Sequence, residues 1–126
     1  MKTNDFRVRP GRAFSLDDVD PSDHGRFKDK DDAKAETEKN LSKLERFQDI
    51  LHAQGRHALL VVLQARDAGG KDSTVRHVMG AFNPMGCNVI SFKAPNEREL
   101  AHDFLWRIHA HAPARGRIAI FNRSHY

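Results

Sequence analysis

A segment of small residues between an apolar run and a helical pattern constrains this sequence most. Residues 58–63 are continuously apolar and predict a fully buried strand. Residues 64–74 then read Gln-Ala-Arg-Asp-Ala-Gly-Gly-Lys-Asp-Ser-Thr. Four apolar residues at helical spacing predict one buried face of a helix: Val75, Val78, Met79 and Phe82. Strand, loop and helix in this order are the context that a phosphate-binding loop requires.

The residue types of this loop suit a bound phosphate. Glycines such as Gly69 and Gly70 let backbone amides turn toward one point, and the helix start adds amides that lack helical partners. Lys71 supplies a mobile cation for the outer phosphates. The alternative is a glycine-rich turn with an exposed lysine, but the coincidence of strand, lysine and helix favours phosphate. The predicted phosphate-binding residues of the loop are Ala68, Gly69, Gly70, Lys71, Asp72, Ser73 and Thr74.

Two residues depart from the general pattern G-x-x-x-x-G-K-[ST]. Ala65 stands where the first Gly is expected. Because a left-handed conformation costs an alanine about 1 kcal/mol, this turn is expected to be strained or differently shaped. Asp72 stands where the magnesium-binding Ser or Thr is expected. A carboxylate must then hold the metal, and Asp67 is the candidate.

The chain before this loop shows no catalytic pattern. Residues 1–28 are polar and predict an extended arm, whose acidic cluster we interpret as solvated rather than metal-binding: Asp17, Asp18, Asp20 and Asp23. Residues 29–126 are expected to form the core, and residues 29–54 of it read as one long helix. The apolar stripe predicted along that helix comprises Leu41, Leu44, Phe47 and Leu51.

Two further strands are predicted at residues 87–92 and 117–121, so the series β-α-β-α-β indicates a parallel sheet. Lys93 follows the second strand, and Asn122 and Arg123 follow the third. Ligands bind at this edge of open α/β sheets. Lys93 is therefore either a second phosphate contact or an exposed loop lysine. Arg123 is either placed to stabilise a transferring phosphoryl group or is a surface arginine at a strand end, and the neighbouring phosphate loop favours the first. Asn122 stands where many nucleotide kinases carry a magnesium-ordering acid.

The helix between these strands begins with a capping box, because Asn96 is followed three residues later by Glu99. Its predicted buried face comprises Leu100, Phe104, Leu105 and Ile108. Arg107 lies beside that face and can reach solvent or the ligand edge. The three histidines of this region are read as solvated or half-buried rather than as metal ligands: His102, His109 and His111.

The formal net charge is +4, and residues 56–126 are the basic part of the chain, with few carboxylates. This balance suits a polyanionic substrate, although nucleic acid would use the same electrostatics. Cys87 is the single cysteine, so an internal disulfide is excluded, and we read it as a small strand residue rather than a nucleophile. No apolar run has the length of a signal or a membrane span, so the cytoplasm is the expected location.

Taken in order, six segments of the sequence resemble the polyphosphate kinase 2 family. They are residues 16–23 (LDDVDPSD), 67–72 (DAGGKD), 82–87 (FNPMGC), 91–95 (SFKAP), 103–107 (DFLWR) and 121–126 (FNRSHY). The Asn-Arg-Ser form after the third strand and the Asp-Pro-Ser-Asp arm look most like the branch that phosphorylates nucleoside mono- and diphosphates.

The resemblance implies an α/β fold: a P-loop kinase-like parallel sheet with flanking helices, truncated after the third strand. It implies transfer of a terminal phosphoryl group between inorganic polyphosphate and a nucleotide such as AMP or ADP, with Mg²⁺. It further implies a full-length protein that forms homo-oligomers and has no nucleic-acid or membrane partner.

The motif positions imply roles for individual residues. Asp67 would orient magnesium or the acceptor phosphate, and Lys71 would bind the transferring phosphate. Phosphates of polyphosphate or nucleotide would be held by Lys93, Arg107 and Arg123, while Asn122 takes the position where other branches carry an acid. Two alternatives stay open: a truncated, inactive phosphate- or nucleotide-binding module, and an ATP-dependent kinase for a small metabolite.

Overall fold

The computed structural model describes residues 9–20 and 22–123. Two compact units divide the chain, residues 1–38 and residues 39–126. The main helices and strands are α1 (Lys30–Gln54), β1 (Leu59–Leu63), α2 (Lys71–His77), β2 (Cys87–Ser91), α3 (Glu97–Leu100), α4 (Trp106–His109) and β3 (Ile118–Asn122). Single turns of 3-10 helix occur at Leu16–Asp18, Met79–Ala81 and Pro84–Gly86.

In the first unit, acidic side chains close local turns. Asp20 Oδ1 accepts hydrogen bonds from the hydroxyl and the amide of Ser22, at 2.6 and 2.8 Å. These two bonds hold the pKa of Asp20 below its ordinary value, and the bond from the Ser22 hydroxyl has the larger effect. Asp23 accepts from the Gly25 amide at 2.7 Å. Among residues 9–20 and 22–123, no three acidic, histidine or cysteine side chains group into a metal site.

The predicted long helix is confirmed as α1, but one position of its predicted stripe is wrong. Phe47 is 62% exposed, whereas the neighbouring Gln48 is only 3% exposed. The reason is a pair of hydrogen bonds with the backbone of Asn83. Gln48 Nε2 donates to the Asn83 carbonyl at 2.9 Å, and the Asn83 amide donates to Gln48 Oε1 at 2.7 Å. A buried amide that is satisfied in this way can replace an apolar side chain.

Within the second unit, all three strands are parallel and lie in the order β1-β3-β2. Of the residues that the structure describes, those of the central strand β3 are the best buried, with Ile118, Ala119, Ile120 and Phe121 at most 2% exposed. The core continues from Ala119 and Phe121 to Phe92 and Ile108. The predicted parallel α/β architecture is therefore confirmed, with β3 at its centre.

The prediction that the first strand is fully buried is wrong. Leu59, Leu60 and Val62 of β1 are 44%, 42% and 41% exposed. The strand pairs with β3 alone among the described elements, so one of its edges lacks a neighbour. A continuous apolar run indicates a strand of a parallel sheet without saying whether the strand is central or at an edge.

The helix predicted after β2 is two separate turns, α3 and α4. Its capping box is present: the Glu99 amide donates to Asn96 Oδ1 at 2.9 Å and the Asn96 amide to Glu99 Oε2 at 2.8 Å. The predicted buried face is wrong at Leu100 and Phe104, which are 68% and 63% exposed. The interruption has a local cause, because Asp103 Oδ1 accepts from the Leu105 amide at 2.9 Å and so begins a new turn.

Strand register places the functional edge of the sheet. Leu63 of β1 and Ser91 of β2 both lie opposite Asn122 of β3. The three carboxyl ends therefore meet in one row, and the segments that follow them leave the sheet side by side. No helix within the described ranges combines the length and the apolar character needed to cross a bilayer.

We predict that Gln48→Met destabilises the chain by about 1–3 kcal/mol, because both backbone groups of Asn83 lose their hydrogen-bond partner, a side chain that is only 3% exposed. The measurement is the free energy of unfolding in urea. Phe47→Ala, one residue away on the exposed side, is the control and should change stability by no more than about 0.5 kcal/mol. A Gln48→Met variant as stable as the parent would contradict the role given to the two hydrogen bonds.

Candidate active site

The loop between β1 and α2 reverses direction at two residues with left-handed backbone. Ala68 has φ of 61° and Gly70 has φ of 77°. Ala65, which occupies the place of the first glycine of the general pattern, is not among the residues with positive φ. The loop is therefore differently shaped, and its alanine strain lies at Ala68. Backbone strain of this kind tends to concentrate at functional sites.

Gly69 is required by a close approach inside the loop. A Cβ atom at this position would lie 2.7 Å from the Cβ of Ala65 and 2.9 Å from the carbonyl oxygen of Arg66. The Gly69 amide donates to that carbonyl at 3.0 Å. The methyl group of Ala65 thus fits because residue 69 has no side chain, and this contact fixes the curvature of the loop.

The ammonium of Lys71 turns back over the loop. Its Nζ donates to the carbonyl oxygens of Ala65 and Arg66, at 2.9 Å each. An ammonium has three donors, so one N–H stays available to a ligand. Within the described part of the chain, the amides of Ala68, Gly70 and Lys71 donate no hydrogen bond. The loop therefore offers both a cation and free amides at the start of α2.

The three strand ends and the loop enclose an open cavity of about 480 Å³. Its walls combine cations, carboxylates and one aromatic ring. The lining residues are Asp67, Ala68, Lys71, Asp72, Ser91, Phe92, Lys93, Asn122 and Arg123. Three cationic side chains face two carboxylates here, so the site carries an excess of positive charge. This balance suits a ligand with several negative charges.

The residues that the sequence predicted as phosphate-binding take different places around this cavity. Gly69 and Gly70 shape the loop and do not line the cavity. The hydroxyls of Ser73 and Thr74 donate to the Gly70 carbonyl at 3.1 and 2.9 Å, so they are engaged within the start of the helix. Two lining residues, Ser91 and Phe92, were not predicted as site residues. The edge argument that selected Lys93 applies equally to them, because Ser91 ends β2 and Phe92 follows it directly.

The side chain of Arg107 contacts the segment that carries Lys93. Its side chain is 11% exposed, and its Nη1 donates to the Lys93 carbonyl at 2.9 Å. The same nitrogen lies 3.5 Å from Glu99 Oε2, and the guanidinium sits 5.2 Å from the centre of the Phe92 ring. Arg107 therefore connects α4 to the loop after β2. A direct contact of Arg107 with phosphate stays a prediction.

Arg123 follows β3 with φ of 85°, a conformation rare for a residue with a side chain. Its amide donates to the Leu63 carbonyl at 3.0 Å, which ties the end of β3 to the end of β1. The guanidinium Nη2 lies 3.9 Å from Asp67 Oδ1. Both side chains are largely exposed, so this ion pair adds little stability and can open to a ligand.

Asn122 links β3 to the start of α2. Its Nδ2 donates to Asp72 Oδ1 at 2.7 Å across 50 residues of sequence. Its Oδ1 is buried and has no hydrogen-bond partner among the described residues. A buried acceptor without a partner is uncommon in folded proteins, so this oxygen is a candidate contact for a ligand-bound donor or a cation.

Comparison with known proteins gives a consistent result. The family model for polyphosphate kinase 2 (PPK2) matches residues 27–126. The chain is 48% identical over 122 residues to the AMP/ADP-polyphosphate phosphotransferase of Meiothermus ruber, covering 96% of this chain and 46% of that protein. It is 43% identical over 130 residues to the ADP-polyphosphate phosphotransferase of Rhodopseudomonas palustris, covering 100% of this chain and 44% of that protein.

The fold is similar to a solved structure that carries the same family name. The crystal structure of polyphosphate kinase 2 from Arthrobacter aurescens TC1 superposes with a TM-score of 0.82 at 42% sequence identity. That match covers 95% of this chain and 44% of the other chain. The chain therefore spans less than half the length of these relatives.

We predict that Gly69→Ala lowers the free energy of unfolding by about 1–3 kcal/mol, because the added methyl group overlaps Ala65 and the Arg66 carbonyl. The double variant Ala65→Gly, Gly69→Ala removes one of the two overlaps and should recover part of the loss. Urea unfolding of the parent, both single variants and the double variant measures the coupling. Additive effects of the two substitutions would show that the contact does not shape the loop.

We also predict that Cys87 reacts slowly with iodoacetamide at neutral pH. The thiol is half-buried at the start of β2, and burial raises its pKa above the ordinary value. The thiolate fraction, and with it the alkylation rate, should be lower than that of free cysteine and should rise with pH. Labelling followed by mass spectrometry measures the rate, and urea-unfolded chain is the control. A folded rate equal to the unfolded rate would contradict the protection.

Proposed function

Since this chain belongs to the polyphosphate kinase 2 family, we propose that its cavity serves transfer of a terminal phosphoryl group between inorganic polyphosphate and a nucleoside mono- or diphosphate. The observation that carries the proposal is the meeting of Lys71, Lys93 and Arg123 at one cavity with the free amides of the loop. The names of the relatives, AMP/ADP- and ADP-polyphosphate phosphotransferase, support these substrates.

We propose different binding roles for the cavity residues according to their positions. The loop amides and Lys71 are proposed to hold the phosphate that transfers, because they converge at the start of α2. Lys93 and Arg123 approach from the ends of the two neighbouring strands and are proposed to hold the flanking phosphates. Phosphoryl transfer needs little covalent chemistry from the protein, so alignment and neutralisation of charge supply most of the catalysis.

The donor set of the cavity fits Mg²⁺. Asp67 is fully exposed, Asp72 faces the same cavity, and the buried Oδ1 of Asn122 is an oxygen without a partner among the described residues. Magnesium is usually bound by one or two carboxylates together with substrate phosphates and water, so a larger acidic cluster is not required. Asp67 is proposed as its ligand, and the ion supplies neutralisation of phosphate charge when bound.

The remaining parts of the proposal follow family resemblance and sequence. We propose a cytoplasmic protein that acts on polyphosphate and a nucleotide, that forms homo-oligomers, and that has neither a nucleic-acid nor a membrane partner. Size-exclusion chromatography with light scattering measures the oligomeric state in solution. Supporting the choice of phosphate over nucleic acid, three cationic residues line one cavity: Lys71, Lys93 and Arg123.

One observation favours a second candidate function, a module that binds phosphate without transferring it. The Lys71 ammonium is already held by two loop carbonyls, so it is proposed to bind an anion through its remaining N–H without assisting transfer.

We predict that the chain forms ATP when incubated with polyphosphate, Mg²⁺ and ADP, and that Lys71→Ala lowers this rate by roughly 10²-fold or more, since a donor to the transferring group is lost. A luciferase assay measures ATP. Lys43→Ala removes an exposed lysine of α1 and is the control, which should keep the parent's rate.

Two outcomes would change the assignment. Saturable binding of polyphosphate that Lys71→Ala abolishes, without ATP formation, would favour the binding module. A Lys71→Ala variant with the parent's rate would contradict the role of the loop lysine. Calorimetric titration with polyphosphate of defined length separates the two cases.

A further inference from the structure

Two residues that depart from the pattern of many nucleotide kinases lie in contact with each other. The sequence carries Asp72 where a Ser or Thr is expected, and Asn122 where the third strand of many nucleotide kinases ends in an acid. In the structure these two side chains share a hydrogen bond of 2.7 Å. A carboxylate is thus present at this point of the cavity, but it comes from the helix rather than from the strand.

We propose that Asp72 supplies the carboxylate that the strand end lacks, and that Asn122 is a positioning residue that fixes it at the cavity. This inference rests on the proposed function, since it assigns the carboxylate to the Mg²⁺–phosphate site. Asp72 becomes a metal-site residue beside Asp67, and the pair of residues 72 and 122 acts as one unit.

The geometry explains why the pair must be matched. An amide donates to a carboxylate, so Asn122 and Asp72 attract each other and hold one orientation. Two carboxylates at this separation would repel. A chain with Asp72 therefore needs an uncharged donor at position 122. The opposite arrangement, an acid on the strand with an amide on the helix, would satisfy the same contact.

The surroundings agree with a carboxylate that is held in place for a cation. Asn122 is half-buried, and its Oδ1 has no partner in the described ranges, so the amide is oriented by Asp72 alone through Nδ2. Lys71, Lys93 and Arg123 line the same cavity, and their excess of positive charge over Asp67 and Asp72 suits the phosphate that accompanies the cation. The Asp72 carboxylate is exposed, which leaves its second oxygen accessible.

The experiment measures Mn²⁺ affinity by electron paramagnetic resonance, with inorganic tripolyphosphate present, on the parent chain and on four variants. Asp72→Asn should weaken Mn²⁺ binding by about 10-fold or more, and Asn122→Ala by roughly 10-fold, as losses of a ligand and of its orienting partner do. The exchanged double variant Asp72→Asn, Asn122→Asp restores one carboxylate and one amide. Its Mn²⁺ affinity should return to within about threefold of the parent. Asp49→Asn, an exposed aspartate of α1, is the control and should not change the affinity.

A second measurement keeps the test independent of catalysis. Asn122→Asp alone should lower the melting temperature through repulsion with Asp72, and addition of Asp72→Asn should restore it. The proposal would be overturned by an exchanged variant that binds Mn²⁺ no better than Asp72→Asn does. It would also be overturned by an Asp72→Asn variant that binds Mn²⁺ as tightly as the parent chain. Loss of the proposed function itself would appear separately, as Mn²⁺ binding without ATP formation.

Discussion

Parallel pairing of β1 and β2 to the buried strand β3 is the constraint on which the rest of this structure depends. Because both outer strands are in register with β3, Leu63, Ser91 and Asn122 end in one row. Each following segment then starts from a fixed point, and polar side chains far apart in sequence meet there. The site is therefore a consequence of strand register, and its precision derives from the close packing of β3.

Support for the site comes from polar side chains that bind backbone groups. Gln48 pairs with both backbone groups of Asn83, between the helical turns that lead from α2 to β2. Arg107 donates a hydrogen bond to the carbonyl of Lys93, and its guanidinium lies over the Phe92 ring. Neither side chain needs to contact a substrate in order to contribute to function. Residues that fix the backbone of a site contribute to function by limiting the positions its charged groups can adopt.

In the loop after β1, the local backbone accommodates a departure from the general sequence pattern. Ala65 is accommodated because Gly69 has no side chain, and the left-handed backbone appears at Ala68 and Gly70 instead. The loop keeps its free amides and its lysine at the start of α2 although its sequence departs from the general pattern. The physical requirement is the convergence of donors, and more than one arrangement of small residues satisfies it.

Several features followed from local sequence. The apolar runs and the capping box formed by Asn96 and Glu99 predicted the strands and the start of a helix, and the motifs identified the polyphosphate kinase 2 family. The burial of individual residues did not follow. Phe47 lies outside and Gln48 inside, because the partner of Gln48 is a backbone segment 35 residues away.

The sequence by itself determined which segments form strands, where the glycine loop lies, and which charged residues stand at strand ends, because periodicity and turn chemistry are local properties. Only the tertiary structure decided that β1 is a half-exposed edge strand, that the helix after β2 breaks at Asp103, and that Arg107 turns beneath Lys93. It alone joined Asp72 to Asn122. These features depend on contacts between residues distant in the chain, and such contacts exist only once the sheet has brought its strand ends together.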